Sequence, residues 1–375
     1  VKLKSMGMVV SATAIAALTL TACGSDNNAG TAGTTGASGT GSASAADCGG
    51  KNSVTAEGST AQQNAIAVFN QVWGQKCAGK NLSYNPTGSG AGREQFVAGN
   101  VDFAGSDSAI KDEQAQQAAE RCGGNPAWNL PLVFGPIALA YNVEGVEDLV
   151  LNGDTLAKIF QGQIATWNDP AIAALNEGKT LPDGAITPIF RSDSSGTTDN
   201  FQKYLAAAAP QTWTKGDGSE FQGGAGEGAQ KSAGVAQAVQ ATPGSIGYVE
   251  KGFADQAGLP YAQIDNGGGP VELTDESAGK AIDAAQFAGE GNDLALDLDS
   301  LYGTKEPGAY PLVLATYEIV CSNGYDAETA AAVKSFLTVA ANDGQGGLSA
   351  AGYVPLPDRF KERLLGSIDA IGSTA

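Results

Sequence analysis

Apolar positions along this chain switch between two periods. Residues 52–56 read as a short strand, and Ile66, Phe69, Val72 and Trp73 then fall on one face of a helix. Residues 82–85 read as a second strand, Phe96 and Val97 mark a short helix, and residues 101–105 read as a third strand. Strands separated by helices predict an α/β protein with parallel strands joined by right-handed crossovers. Two apolar runs break this rhythm. Residues 130–141 contain Pro131 and Pro136, and residues 310–320 form a second run of the same kind. The first is too long and too interrupted for one ordinary strand. If both runs cross between domains, the middle of the chain is a second domain and the first is built from both ends. The same two runs would also serve as core strands of a single domain. Between them, residues 156–160 and 166–170 read as a helix and a turn, 185–190 as a strand, 221–228 as a glycine-rich loop, and 244–250 as a turn and strand. Helices follow over 327–339 and from Asp358 onward.

The turns after the predicted strands carry the candidate chemistry. Thr60, Ser89 and Asp107 each follow a strand end, and open α/β sheets bind ligands beyond the carboxyl ends of their strands. The strand at 185–190 runs into Arg191-Ser192-Asp193-Ser194-Ser195-Gly196-Thr197-Thr198, a cation followed by a hydroxyl-rich turn. Phe201, Tyr204 and Leu205 then give the next helix an apolar face. Small residues at a helix start leave N–H groups uncovered, and the helix dipole makes that end attractive to anions. Ser195 and Thr197 add hydroxyl donors, and Arg191 adds a fixed fork of N–H groups. An ordinary N-cap uses the same residue types. The run Gly88-Ser89-Gly90-Ala91-Gly92 lacks the Lys-Ser/Thr ending of a nucleotide loop; it offers uncovered backbone N–H groups and one hydroxyl.

Composition narrows the chemistry. The chain of 375 residues is 42% hydrophobic, with 52 glycines, which allows sizeable cores joined by many turns. A net charge of −19 makes nucleic acid and anionic membrane surfaces poor partners. There is no histidine, which removes Ser-His-Asp triads and every His-liganded metal site. The missing histidine does not by itself exclude a Ser-Lys or carboxylate mechanism, and a phosphatase or serine hydrolase at Ser195 or Ser89 is the competing enzymatic reading; the expectation is no catalytic residue, metal or cofactor.

The N-terminal segment reads as an export signal. Lys2 and Lys4 precede a mostly apolar run over 8–20, and Leu20-Thr21-Ala22-Cys23-Gly24 resembles the bacterial lipobox. The resemblance implies a signal peptide over residues 1–22, cleavage before Cys23, and diacylglycerol on its sulfur, which anchors the protein outside the cell membrane. Residues 23–47 would then be the lipidated cysteine and a flexible linker. Cys48, Cys77, Cys122 and Cys321 remain, an even count with three possible connectivities. Cys48 and Cys77 both precede predicted strands flanking one helix, which favours Cys48–Cys77 and Cys122–Cys321.

Six segments in one order resemble the phosphate-binding lipoproteins of bacterial high-affinity phosphate ABC transporters, the PstS family. They are Gly58-Ser59-Thr60, Thr87 through Gly92, Val101-Asp102-Phe103-Ala104-Gly105-Ser106-Asp107, Thr166-Trp167-Asn168-Asp169-Pro170, Arg191 through Thr197, and Gly247-Tyr248-Val249-Glu250. The resemblance covers nearly all of residues 48–370. It implies a two-lobed periplasmic-binding-protein fold of the second type, with mixed sheets flanked by helices and two hinge strands. Lobe I would comprise 48–137 and 313–375, and lobe II 138–312. Carried over by position, the phosphate ligands would be Thr60, the backbone N–H of Ala61, Ser89, Asp107, Arg191, Ser195, Gly196 and Thr197. Asp193 would steady the arginine. Many members of the family carry an aromatic residue at the position of Ala61, where only the backbone donor is needed. The implied partners are inorganic phosphate and the permease subunits of an importer, with the protein acting as a monomer.

Asp107 is the informative residue. A carboxylate facing an anion repels it unless the ligand supplies a proton between them. Phosphate near neutral pH keeps at least one proton and sulfate keeps none, so Asp107 would accept phosphate and reject sulfate.

Overall fold

The proline-interrupted apolar run at 130–141 forms one strand. In the computed structural model, which describes residues 47–372, β4 spans Ala127–Asn142 and is buried along nearly its whole length. The expectations placed on residues 1–46, including the signal segment and Cys23, lie outside the described residues. Strand β4 belongs to an eight-stranded mixed sheet. Its partners in chain order are β1 (Ser53–Gly58), β2 (Asn81–Pro86), β3 (Phe103–Ser106), β5 (Thr187–Arg191), β6 (Glu227–Ala229), β7 (Ser245–Glu250) and β8 (Val313–Cys321). The spatial order is β2-β1-β3-β8-β4-β7-β5-β6.

The sheet has two halves that share β4. Residues Ala127 to Pro136 pair antiparallel with β8, and Ile137 to Asn142 pair antiparallel with β7. The two prolines occupy the two irregular points. Pro131 stands where the register with β8 shifts between Thr316 and Tyr317, and Pro136 is the last residue paired with β8 before the partner changes. Proline lacks an N–H, so a bulge and a change of partner are places where a strand interior tolerates it. The second apolar run approaches at the same level: Tyr310 donates its hydroxyl to Ile137 O at 2.8 Å, and Ile137 N–H donates to Leu312 O at 2.8 Å.

The parallel pairs match the expected strand–helix rhythm. Strands β1, β2 and β3 run parallel, as do β5, β6 and β7, while β4 and β8 run against their neighbours. Six helices carry the argument that follows: α1 (Gln63–Lys76), α2 (Ser89–Val97), α3 (Asp112–Arg121), α4 (Gly196–Ala208), α5 (Lys231–Ala241) and α6 (Ala327–Asn342). On the first half, Trp73 of α1 meets Phe336 of α6 edge-on at 5.3 Å, and Phe336 stacks on Phe103 at 5.7 Å. On the second, Phe201 of α4 stacks on Tyr248 at 4.4 Å. Cys48 is joined to Cys77 at the end of α1, and Cys122 after α3 to Cys321 at the end of β8, each pair with Cα atoms 5.4 Å apart. Among the described residues no helix is long and apolar enough to cross a membrane.

Candidate anion-binding site

Three strand ends and one helix start meet at the change of partner in β4. The first contribution comes from the turn after β1. Ser59 N–H donates to Gly105 O at 2.8 Å, and Thr87 and Gly88 N–H both donate to Gly58 O, so the ends of β1, β2 and β3 are tied together. Gly88 has φ of +107°, and a Cβ there would lie 2.7 Å from Ser194 O of the opposite half. Only glycine suits that backbone and that approach. Gly90 N–H then donates to Ser194 O at 3.3 Å, which places the start of α2 against the hydroxyl-rich turn.

Asp107, one residue past β3, is the centre of the first half. Its Oδ1 accepts from Ser59 Oγ and Thr316 Oγ1, both at 2.6 Å, and its Oδ2 accepts from Ser89 Oγ at 3.0 Å. Burial pushes its carboxyl up to about 6; the hydroxyls of Ser59, Thr316 and Ser89 pull it back down, and the nearby Glu250 adds to the rise. Thr60 meets Ser232 at the start of α5, with the two hydroxyl oxygens 2.8 Å apart. The backbone N–H of Ala61 donates to Ser59 Oγ at 3.0 Å. Behind this turn, Gln62 Nε2 donates to Tyr84 Oη at 3.2 Å and to Glu318 Oε2 at 3.4 Å. Burial raises the Glu318 carboxyl well above the usual range.

Arg191 closes β5 and supplies the cation. Its Nε donates to Asp193 Oδ1 at 2.7 Å and its Nη2 to Asp193 Oδ2 at 2.5 Å, a bidentate pair. Nη1 reaches Ser232 Oγ at 3.5 Å. Burial works against the guanidinium's charge, but the hydrogen bonds and charge of Asp193 outweigh it and raise its pKa. Burial likewise opposes the charge on Asp193, and Arg191 outweighs that and holds the carboxyl below its ordinary value. Ser195 does serve as the N-cap of α4, its Oγ accepting from Thr198 N–H at 3.2 Å. The cap uses Ser195 as an acceptor and leaves its O–H proton for another group. Gly196 begins the helix, and a Cβ there would lie 2.5 Å from Asp107 Cβ and 2.6 Å from Ser89 Oγ. Thr197 Oγ1 donates to Glu250 Oε1 at 2.5 Å.

The structure thus brings Thr60, Ala61, Ser89, Asp107, Arg191, Asp193, Ser195, Gly196 and Thr197 to one buried region. Four further polar residues stand among them. Ser59 and Thr316 hold Asp107, Ser232 links Thr60 to Arg191, and Glu250 holds Thr197. Ser59 adjoins the Thr60 turn in sequence, and Glu250 closes the last of the six recurrent segments. Thr316 is a lone hydroxyl inside an apolar run, and Ser232 follows the glycine-rich loop. Their positions become informative only once the sheet is assembled. No described group of three or more His, Cys, Asp or Glu could hold a metal ion. The groups brought together include the Arg191 guanidinium, several hydroxyls and a helix start, which is the make-up of a binding site for a compact oxyanion.

Known proteins resemble this chain along nearly its whole length. The family model for the PBP superfamily domain matches residues 27–343. The chain is 51% identical over 373 residues to phosphate-binding protein PstS 3 of Mycobacterium tuberculosis, covering 99% of this chain and 100% of that protein. It is 48% identical over 374 residues to phosphate-binding protein PstS 2 of the same species, again over 99% and 100%. Among solved structures, a high-affinity periplasmic phosphate-binding protein, PfluDING, solved with phosphate bound, superposes with a TM-score of 0.68 at 23% identity, covering 84% of this chain and 93% of that one. The chain belongs to the PBP superfamily and, within it, to the PstS family of phosphate-binding proteins.

Proposed function

We propose that this protein binds inorganic phosphate outside the cytoplasmic membrane and delivers it to an ABC-type importer. The observation that carries the reading is the pairing of one buried guanidinium, Arg191 held by Asp193, with one buried carboxylate, Asp107, in the same site. Arg191 gives the attraction, and Asp107 demands a ligand that can donate a proton. The hydroxyls of Thr60, Ser89, Ser195 and Thr197 and the N–H groups of Ala61 and Gly196 supply the remaining donors without further full charges. Several of these donors are engaged within the protein: Thr197 with Glu250, Thr60 with Ser232, and Ala61 N–H with Ser59. A bound phosphate takes over those bonds, so each donor is already held near its working position. The chain's relatives are phosphate-binding proteins and it holds no histidine to activate Ser89 or Ser195, which supports a binding protein and not an enzyme.

Residues 48–137 with 313–375 form one lobe and 138–312 the other, with β4 and the approach to β8 as the two crossings, and closure of the lobes encloses the ion. The protein is a monomer, held at the cell membrane by lipid on Cys23 and contacting permease subunits of the importer. Calorimetric titration of purified protein with phosphate, arsenate and sulfate tests the binding. Phosphate and arsenate should bind and sulfate should not. Arg191→Ala should weaken phosphate by at least ~100-fold, since it removes the cation and strands Asp193. Equal binding of sulfate and phosphate, or an unchanged Arg191→Ala variant, would refute the assignment.

A further inference from the structure

One side-chain amide joins two backbone carbonyls that belong to ligand residues on opposite halves of the sheet. Asn200 stands one turn into α4 and is fully buried. Its Nδ2 donates to Asp107 O at 2.7 Å, beyond β3, and to Gly196 O at 2.8 Å, at the start of its own helix. Its Oδ1 accepts from the hydroxyl of Tyr302. Both N–H groups and the carbonyl of the amide are thus engaged. The orientation follows from the partners: backbone carbonyls can only accept, so Nδ2 faces them, and Oδ1 faces the neighbour that can donate.

Tyr302 is itself fully buried, in the short helix Asp299–Tyr302. Burial first, and then the charge of Asp199, push its hydroxyl well above the ordinary value, so it stays a donor. The chain leading to it is tied to the sheet. Asn129 N–H of β4 donates to Asp293 Oδ1 at 2.8 Å, and Leu296 N–H donates to Tyr317 Oη of β8 at 3.1 Å. If the amide turned round, Oδ1 would oppose the two carbonyls; the Tyr302 hydroxyl holds it against that turn.

Other bonds between the halves differ in kind. Ser108 Oγ donates to Asp199 Oδ2 at 2.5 Å and Arg93 Nη2 to Ser219 Oγ at 3.3 Å, but Ser108 and Ser219 are half-buried, and water competes for them. The Thr60–Ser232 contact uses a hydroxyl that the ion itself takes over. The Asn200 bonds end on carbonyls. An oxyanion recruits donors, so the ion and the amide do not compete for a partner.

Resting on the phosphate reading above, we propose that Asn200, oriented by Tyr302, is a positioning residue that sets how long phosphate stays bound. Its bond to Asp107 O spans the halves, so it forms as they meet and has to break before they part and the ion leaves. Capture of the ion precedes that bond and does not use it. The bond to Gly196 O holds the helix start at the level of the Asp107 turn.

Release is timed by loading purified protein with radiolabelled phosphate and chasing with excess unlabelled phosphate. Asn200→Leu keeps the size of the side chain and removes its polar groups. Release should become about tenfold faster, because the buried Asp107 carbonyl is left without its donor. The association rate should stay within about twofold of the wild type. Tyr302→Phe should speed release by a smaller factor, and the double variant should match Asn200→Leu, because the hydroxyl acts through the amide. A pair that served only the fold would lower the melting temperature of the ligand-free protein and leave release unchanged. Wild-type release from a folded Asn200→Leu overturns the proposal, and so do multiplying effects of the two substitutions. Should Asn200→Leu fail to fold, Asn200→Ser, too short to reach Asp107 O, is read in its place by the same criteria. A wild-type protein that binds no phosphate would instead refute the parent reading.

Discussion

Asp107 shows how one side chain can trade stability for selectivity. Its carboxyl sits near 6 against an ordinary value of 3.8, chiefly because it is buried. The stability that goes with the raised value is fully present below about 3.8 and is lost as pH rises through about 6. At neutral pH the fold therefore carries a buried negative charge that costs ~3 kcal/mol, a figure that already includes the relief given by the three hydroxyls that face it. Asp107→Asn is expected to be more stable than the wild type above pH 6, by up to that amount, with the advantage shrinking toward pH 4. Denaturant melts at the two pH values check this, and an equal difference at both would show that the charge is not the cause. The same variant should lose discrimination against sulfate by a larger factor than it loses phosphate affinity. Arg191, Ser195 and Asp107 were readable from the chain because each stands in a local motif at a strand end or helix start. Thr316, Ser232 and Glu250 were not assigned a role, because what makes them matter is a contact across the sheet. Thr316 reaches Asp107 from 209 positions away in the chain.

At the scale of elements, the two halves meet where side chains are smallest. Gly196 at the start of α4 lies against Asp107 and Ser89, and Gly88 lies against Ser194. Asn200, one turn into α4, donates Nδ2 to Asp107 O at 2.7 Å, and Ser108 Oγ donates to Asp199 Oδ2 at 2.5 Å. These bonds bring the helix start to the carboxylate without a side chain between them. Gly196→Ala should then hold the halves apart, because its methyl would overlap Asp107 and Ser89. Phosphate affinity should fall at least about tenfold, and the radius of gyration with phosphate should stay at the ligand-free value. Wild-type affinity and normal compaction in that variant would show that the approach is not required. The strand–turn–helix units were legible because period and small-residue turns coincide there. The run at 130–141 was harder: its length and prolines argued against one strand, and it is one strand because a bulge and a change of partner absorb both prolines.

For the molecule as a whole, the cross-links act on the half of the sheet built from both chain ends. Cys48–Cys77 closes a separation of 29 residues and Cys122–Cys321 one of 199. In the chain-entropy account these bridges contribute roughly 3–4 and about 5 kcal/mol, respectively, by restricting the unfolded chain. Replacing Cys48 and Cys77 together by serine should lower the unfolding free energy by several kcal/mol while leaving phosphate affinity nearly unchanged, since neither residue approaches Arg191 or Asp107. A melt and a titration on the same variant read both quantities, and a large loss of affinity at unchanged stability would contradict the assignment of that bridge to the scaffold.

Strand β8 lies between β3 and β4, yet it is the last strand of the sheet to be made. Until Cys321 has been synthesised, β3 and β4 each present an open edge, and Asp107 lacks the hydroxyl of Thr316. Most of the chain is thus translated before the sheet can close, and late closure is the slow, non-local kind of step in folding. The strand order thus imposes a waiting period: the edges of β3 and β4 stay unjoined until the C-terminal part of the chain has been made.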